Sequence, residues 1–151
     1  MDAHDLGRFV EAQADSYAIA LAELRRGVKR SHWMWWIFPQ LAGLGRSPTA
    51  QRYAIASAAE ARAYLAHPLL GTRLVEATES VTAAPGSAEA IMGPVDAIKL
   101  RSSMTLFQAV ADDVPPIGAG PFRAALERFF GGEADASTVA LLSSAARRGH
   151  P

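Results

Sequence analysis

The chain is 151 residues long, half of them apolar and a fifth charged, enough to enclose one core and too hydrophobic to stay disordered. Fifteen basic residues balance fifteen acidic ones, so neither a general nucleic-acid surface nor an anionic-membrane surface is indicated. The absence of cysteine excludes disulfides and thiolate metal sites.

The start of the chain, Met1 to Asp5, is acidic and lacks the basic and apolar regions of a signal peptide. Asp5 is a candidate N-cap for a first helix. Leu6, Phe9, Val10, Ala14, Tyr17, Ala20, Leu21 and Leu24 then recur at helical spacing up to Gly27. Gln13 and Tyr17 share its inner face.

The next stretch, Ser31 to Gln40, holds all three tryptophans of the chain between Trp33 and Trp36, followed by Phe38. It is crowded with aromatic surface and falls short of the roughly 20 residues a membrane span needs. It reads as a short buried helix, apolar on every side and ended by Pro39. Arg30, Ser31 and His32 stand before it and Gln40 after it, where polar groups are either satisfied core partners or the lining of a pocket.

Ser47-Pro48 pairs an N-cap with Pro at the first helical position, and the expected helix includes Tyr53 and Ile55. Ser57 and Glu60 have the spacing of a capping box before a helix through Tyr64 and Leu65. His67-Pro68 breaks it, and Leu69, Leu70, Leu74, Val75 and Val81 continue as another. Pro85-Gly86-Ser87 is a loop. After Pro94, residues 95–112 form a helix, and Pro115 to Pro121 a stiff connection. Phe122 to Phe130 is amphipathic and stopped by Gly131-Gly132. Asp135 caps a last helix with Val139, Leu141 and Leu142 inward, and Arg147 and Arg148 suit its negative end. No β-alternation runs beyond a few residues. The expected architecture is all-α, a single compact multihelical domain over residues 1–151, cytoplasmic and without a membrane segment.

The helix after Pro94 carries an anomaly. Leu100, Leu106, Phe107 and Val110 share a face at about 3.6 residues per turn, and Asp96, Lys99 and Ser103 project into the same arc. Arg101, Thr105 and Gln108 fall on the opposite, solvated side. Lysine and aspartate are seldom fully buried unless paired. Asp96 and Lys99 could be a simple pair one turn apart, with Asp96 favoured by the helix dipole. They could equally line a pocket facing the aromatic stretch, where a His32 oriented by Asp96 would be an acid/base arrangement. Trp33, Trp35 and Trp36 point different ways around a helix, which fits a core better than a stacking platform for single-stranded nucleic acid. Neither a phosphate-loop spacing nor a His-x-x-x-His or Glu-x-x-His pair is present, so no metal and no cofactor is called for.

The run Lys29 to Leu41, KRSHWMWWIFPQL, resembles the signature of a bacterial family, domain of unknown function 1810. The resemblance includes Phe9, Ala12, Gln13 and Tyr17, then Gly43-Leu44-Gly45 and Ser47. It continues through Glu60-Ala61, Tyr64-Leu65, His67-Pro68, Leu70-Gly71 and Arg73-Leu74, to Asp96, Lys99-Leu100 and Ser102 to Phe107. It implies a single, mainly helical domain and lends no activity. The polar motif residues coincide with the outliers reached from helix geometry.

Three functions follow. The first is binding of a small polar ligand, a nucleotide or ribosyl compound, between the aromatic stretch 31–40 and helix 94–112. Its chemically active groups are His32, Asp96 and Lys99, and its contacts are Trp33, Trp36, Gln40, Ser102 and Ser103. The second is a hydrolase in the same pocket, with His32 or Asp96 as base and Lys99 stabilising negative charge. The third is a structural or adaptor domain whose polar network only fixes the fold. Oligomeric state is not legible.

Overall fold

The computed structural model describes residues 4–148, excluding the side chains of Arg147 and Arg148. The acidic start at Met1, Asp2 and Ala3 and the expected helix-end role of Arg147 and Arg148 lie outside what is described. Ten helices are present among the described residues: α1 (Gly7–Ala14), α2 (Tyr17–Arg26), α3 (Met34–Ile37), α4 (Pro48–Arg52), α5 (Ala58–Ala66), α6 (Leu70–Ala83), α7 (Ala88–Met92), α8 (Pro94–Ala111), α9 (Gly120–Phe130) and α10 (Ala136–Arg148). No named strand occurs among them; Leu41 and Ile55 form one isolated parallel bridge. The domain is all-α, as the helical spacing and resemblance imply.

Several helix starts are written in their caps. Ser47 accepts from the Ala50 amide and Ser57 from the Glu60 amide, each at 3.1 Å. Glu60 in return accepts from the amide of Ala56 at 2.9 Å, one residue before the cap. His67 Nδ1 accepts from the amides of Leu69 and Leu70, so the residue that ends α5 also opens α6. This sharp junction needs Gly71, where a Cβ would stand 2.0 Å from the Leu65 carbonyl oxygen. Asp135 Oδ2 accepts from the Thr138 amide at 2.9 Å.

α8 is the central element, packed by α5, α7, α9 and α10, while α6 closes over α2, α5 and α9. The core runs from Phe9 and Leu24 through Trp33, Met34, Ile37 and Phe38 to Tyr64, Leu100, Phe107 and Phe122.

Several local expectations are corrected. The first helix is two, broken at Asp15 and Ser16, where the Ser16 hydroxyl bonds the Ala12 carbonyl at 2.7 Å. Such side chains compete with the backbone for hydrogen bonds. Asp5 does not cap it with its side chain; Leu6 occupies the cap position. Tyr53 and Ile55 lie beyond α4, because Ile55 donates its amide to Gln40 and pairs with Leu41. Ser87 caps a helix, α7, that no apolar pattern announced. Thr105 is buried, accepting from the Asp135 amide at 2.8 Å. In α10 the fully buried residue is Thr138, and Val139 is exposed.

Candidate functional site

The site begins where α2 ends. Gly27 adopts φ 76°, and its amide and that of Val28 turn back onto the carbonyls of Leu24 and Glu23. This left-handed glycine cap reverses the chain and brings residues 28–33 back over the last turn of α2. Glu23, buried on that turn, receives them. Its Oε1 accepts from the amides of Arg30 and Ser31 and from Trp33 Nε1 at 2.8, 3.0 and 3.0 Å; its Oε2 accepts from the Ser31 hydroxyl at 2.6 Å. Burial alone would raise the carboxyl pKa, but the bonds from Ser31, Arg30 and Trp33 outweigh it and hold it at about 2.

Lys29 leaves this turn towards α8. Its ammonium lies 2.8 Å from Asp96 Oδ2 and 2.6 Å from the Ser31 carbonyl, and stands 4.9 Å from the centroid of the Trp33 ring. Its backbone amide donates to Ile91 at 2.7 Å. Lys99 reaches Asp96 from the other side, 3.6 Å from Oδ1, with its ammonium 4.8 Å from the Trp35 ring centroid. Lys29 and Lys99 are the only lysines of the sequence, and both converge on one carboxylate and on neighbouring indoles.

Of the residues singled out from sequence, Asp96, Lys99 and Trp33 meet in this cluster. Trp33 is fully buried beneath it. His32 is exposed between Ser31 and Trp33, and no hydrogen bond joins it to Asp96 among the described residues. Trp36 is half-buried, donating to the Ser16 hydroxyl at 2.8 Å and packing against Tyr53 at 5.2 Å. Gln40 is half-buried, and with Trp35, Gly45, Ala50 and Tyr53 it lines a small space of about 10 Å³, room for about one water molecule. Ser102 is buried and bonded to the Ile98 carbonyl of its own helix at 3.2 Å. Ser103 is fully buried, and its hydroxyl has no hydrogen-bond partner among the described residues. Larger hollows open elsewhere, about 580 Å³ between α5 and α10 and about 420 Å³ along α2 and α6.

Lys29, Glu23 and Ser31 join the cluster beyond the residues expected from the sequence. A signal was present for two of them. Glu23 follows Ala20 by three residues on the inner arc of its helix, and Lys29 is a lysine in a chain that otherwise uses arginine almost throughout.

Fold and cluster together define an all-α domain whose aromatic segment is pinned to its central helix through two lysines and a shared aspartate. The chain belongs to the family described as protein of unknown function, DUF1810, whose model matches residues 3–142. It is similar to the crystal structure of the conserved hypothetical protein Rv1873 from Mycobacterium tuberculosis, with 52% sequence identity and a TM-score of 0.89 over 94% of this chain and 99% of that one. No curated protein matches it. Among the described residues no helix is long and apolar enough to cross a membrane, and no group of three or more His, Asp or Glu side chains could hold a metal ion.

Proposed function

We propose that the chain binds a small polar ligand, anionic and carrying a planar ring, a nucleotide or ribosyl phosphate, on the open side of the aromatic segment. Lys99 is the residue on which the reading rests. It stands over a half-buried indole, and its carboxylate partner, Asp96, is held more closely by Lys29. Its ammonium therefore keeps donors to spare at the edge of an aromatic surface, which suits a phosphate beside a stacked base. Lys29 and Lys99 balance Asp96 and Glu23, and Lys99 is the more exposed of the two cations. In this reading Lys99 takes the anionic group and Trp35 the planar one, with His32 and Gln40 at the rim and Asp96 positioning Lys99. Trp33 supports the surface from beneath, Trp36 extends it, and Ser102 and Ser103 lie buried in α8 behind it. The missing His32–Asp96 hydrogen bond favours binding over base catalysis.

The test is a titration with nucleoside monophosphates and ribose 5-phosphate, followed by tryptophan fluorescence and thermal melting. Wild type should show a saturable rise in Tm, and Lys99→Met should bind about tenfold more weakly, or about 1.4 kcal/mol. Absence of any saturable response, or unchanged binding by Lys99→Met, would overturn the assignment.

A further inference from the structure

On the other side of the aromatic segment, α1, α2 and α6 bring together Gln13, Tyr17, Arg73 and Glu76. Gln13 is buried, and its amide nitrogen donates to the Trp36 carbonyl at 2.8 Å and to the Tyr64 hydroxyl at 3.1 Å. The Trp36 carbonyl can only accept, so the amide nitrogen must face it and Gln13 Oε1 must face Arg73, 3.3 Å from its Nη1. The Arg73 guanidinium also lies 4.7 Å from the centroid of the Tyr17 ring. An amide of fixed orientation and an aromatic face thus lock the fork in place.

The fork is otherwise uncommitted. The half-buried arginines among the described residues are Arg8, Arg62, Arg73 and Arg101. Arg8 pairs with Glu60, Arg62 with Asp113 and Arg101 with Glu133, whereas Arg73 pairs with no carboxylate. Glu76, one turn along α6, accepts the Tyr17 hydroxyl and lies 3.7 Å from Arg25, so its charge is already met from two sides. Glu76 and Arg25 also line the hollow of about 420 Å³ that continues along α2 and α6. The remaining donors of Arg73 face solvent beside the hollow, and its planar fork matches an oxyanion in two-point contact.

We infer that Arg73, held by Gln13 and Tyr17, is a binding site for an oxyanion, phosphate or carboxylate, separate from the surface at Lys99. The rest of the ligand would extend over the α2–α6 hollow. The site does not depend on the function proposed above, because it shares no charged residue with it.

The experiment titrates the ¹⁵N-labelled protein with inorganic phosphate, and in a parallel arm with acetate, at constant ionic strength, and follows the side-chain Nε–H signal of Arg73. A saturable movement of that signal is expected, retained in Lys99→Met and weakened about tenfold in affinity in Arg73→Lys, which keeps the charge but loses the fork. Movement with phosphate alone identifies a phosphorylated ligand, and movement with acetate alone a carboxylate. An Arg73 signal unmoved by either anion overturns the inference whether or not Arg73→Lys folds. So does a folded Arg73→Lys that binds the effective anion as wild type does.

Discussion

Lys29 and Lys99 share the carboxylate of Asp96 and each sets its ammonium over an indole, yet their surroundings differ. The Lys29 side chain keeps 8% of its exposure, touches Asp96 at 2.8 Å and donates to Ser31 at 2.6 Å. The Lys99 side chain keeps 24%, and its distance to Asp96 is 3.6 Å. On the inner side Glu23, Ser31, Lys29 and Trp33 satisfy one another; on the outer side Lys99 and Trp35 do not. Within one cluster, then, unused hydrogen-bonding capacity, more than burial or charge, separates scaffold from candidate site.

Substitutions should divide along that line. The largest losses belong to the inner side. Trp33→Ala empties a fully buried indole position and should cost about 3–5 kcal/mol, against about 1–2 for the half-buried Trp35→Ala. Urea unfolding of both variants checks the ordering, and equal costs would erase the distinction between the two sides. Glu23→Ala strands the Trp33 indole N–H, the Ser31 hydroxyl and two backbone amides, and should cost about 3 kcal/mol.

Glu23 also gives the inner side a pH signature. Its folded pKa of about 2 lies below the ordinary 4.5, so the carboxylate's contribution is fully present above that ordinary value and is lost as pH falls towards 2. Wild-type stability should therefore decline between about pH 4.5 and 2 more steeply than that of Glu23→Gln. Chemical denaturation at stepped pH measures this, and parallel curves would refute it.

The shared carboxylate comes next. Asp96→Asn leaves Lys29 nearly buried without its closest ionic partner, and should cost about 2 kcal/mol. Lys99→Met removes the exposed member and should cost about 1 kcal/mol or less. Thermal melts that rank them the other way round would make Lys99 the structural lysine. The smallest effect is expected behind the site. Ser103→Ala deletes a buried hydroxyl that has no partner among the described residues, and should be neutral or stabilising by up to about 1 kcal/mol. A clear loss of stability would reveal a partner for it.

The features legible before folding are local. The all-α architecture, the caps at Ser47, Ser57 and Asp135, the hinge at His67-Pro68 and the burial of Trp33 and Phe38 follow from spacing and from side chains acting within a few residues. Asp96 and Lys99 were legible as anomalies because they break a helical pattern, and the resemblance to the family marked the same positions. Their partners were set by packing between distant segments. Nothing in the sequence could pair Asp96 with Lys29, whose alignment depends on the Gly27 reversal and on how the returning chain docks against α7 and α8. Gln13 and Arg73, 60 residues apart, meet because α1 and α6 converge on the same aromatic segment. Thr105 belongs inside because it accepts from the amide of Asp135, 30 residues on, a contact helical periodicity cannot register. Hydrophobic periodicity reports which face of an element is covered; which polar groups find one another under that cover is set by the packing of distant segments, and that packing created this cluster.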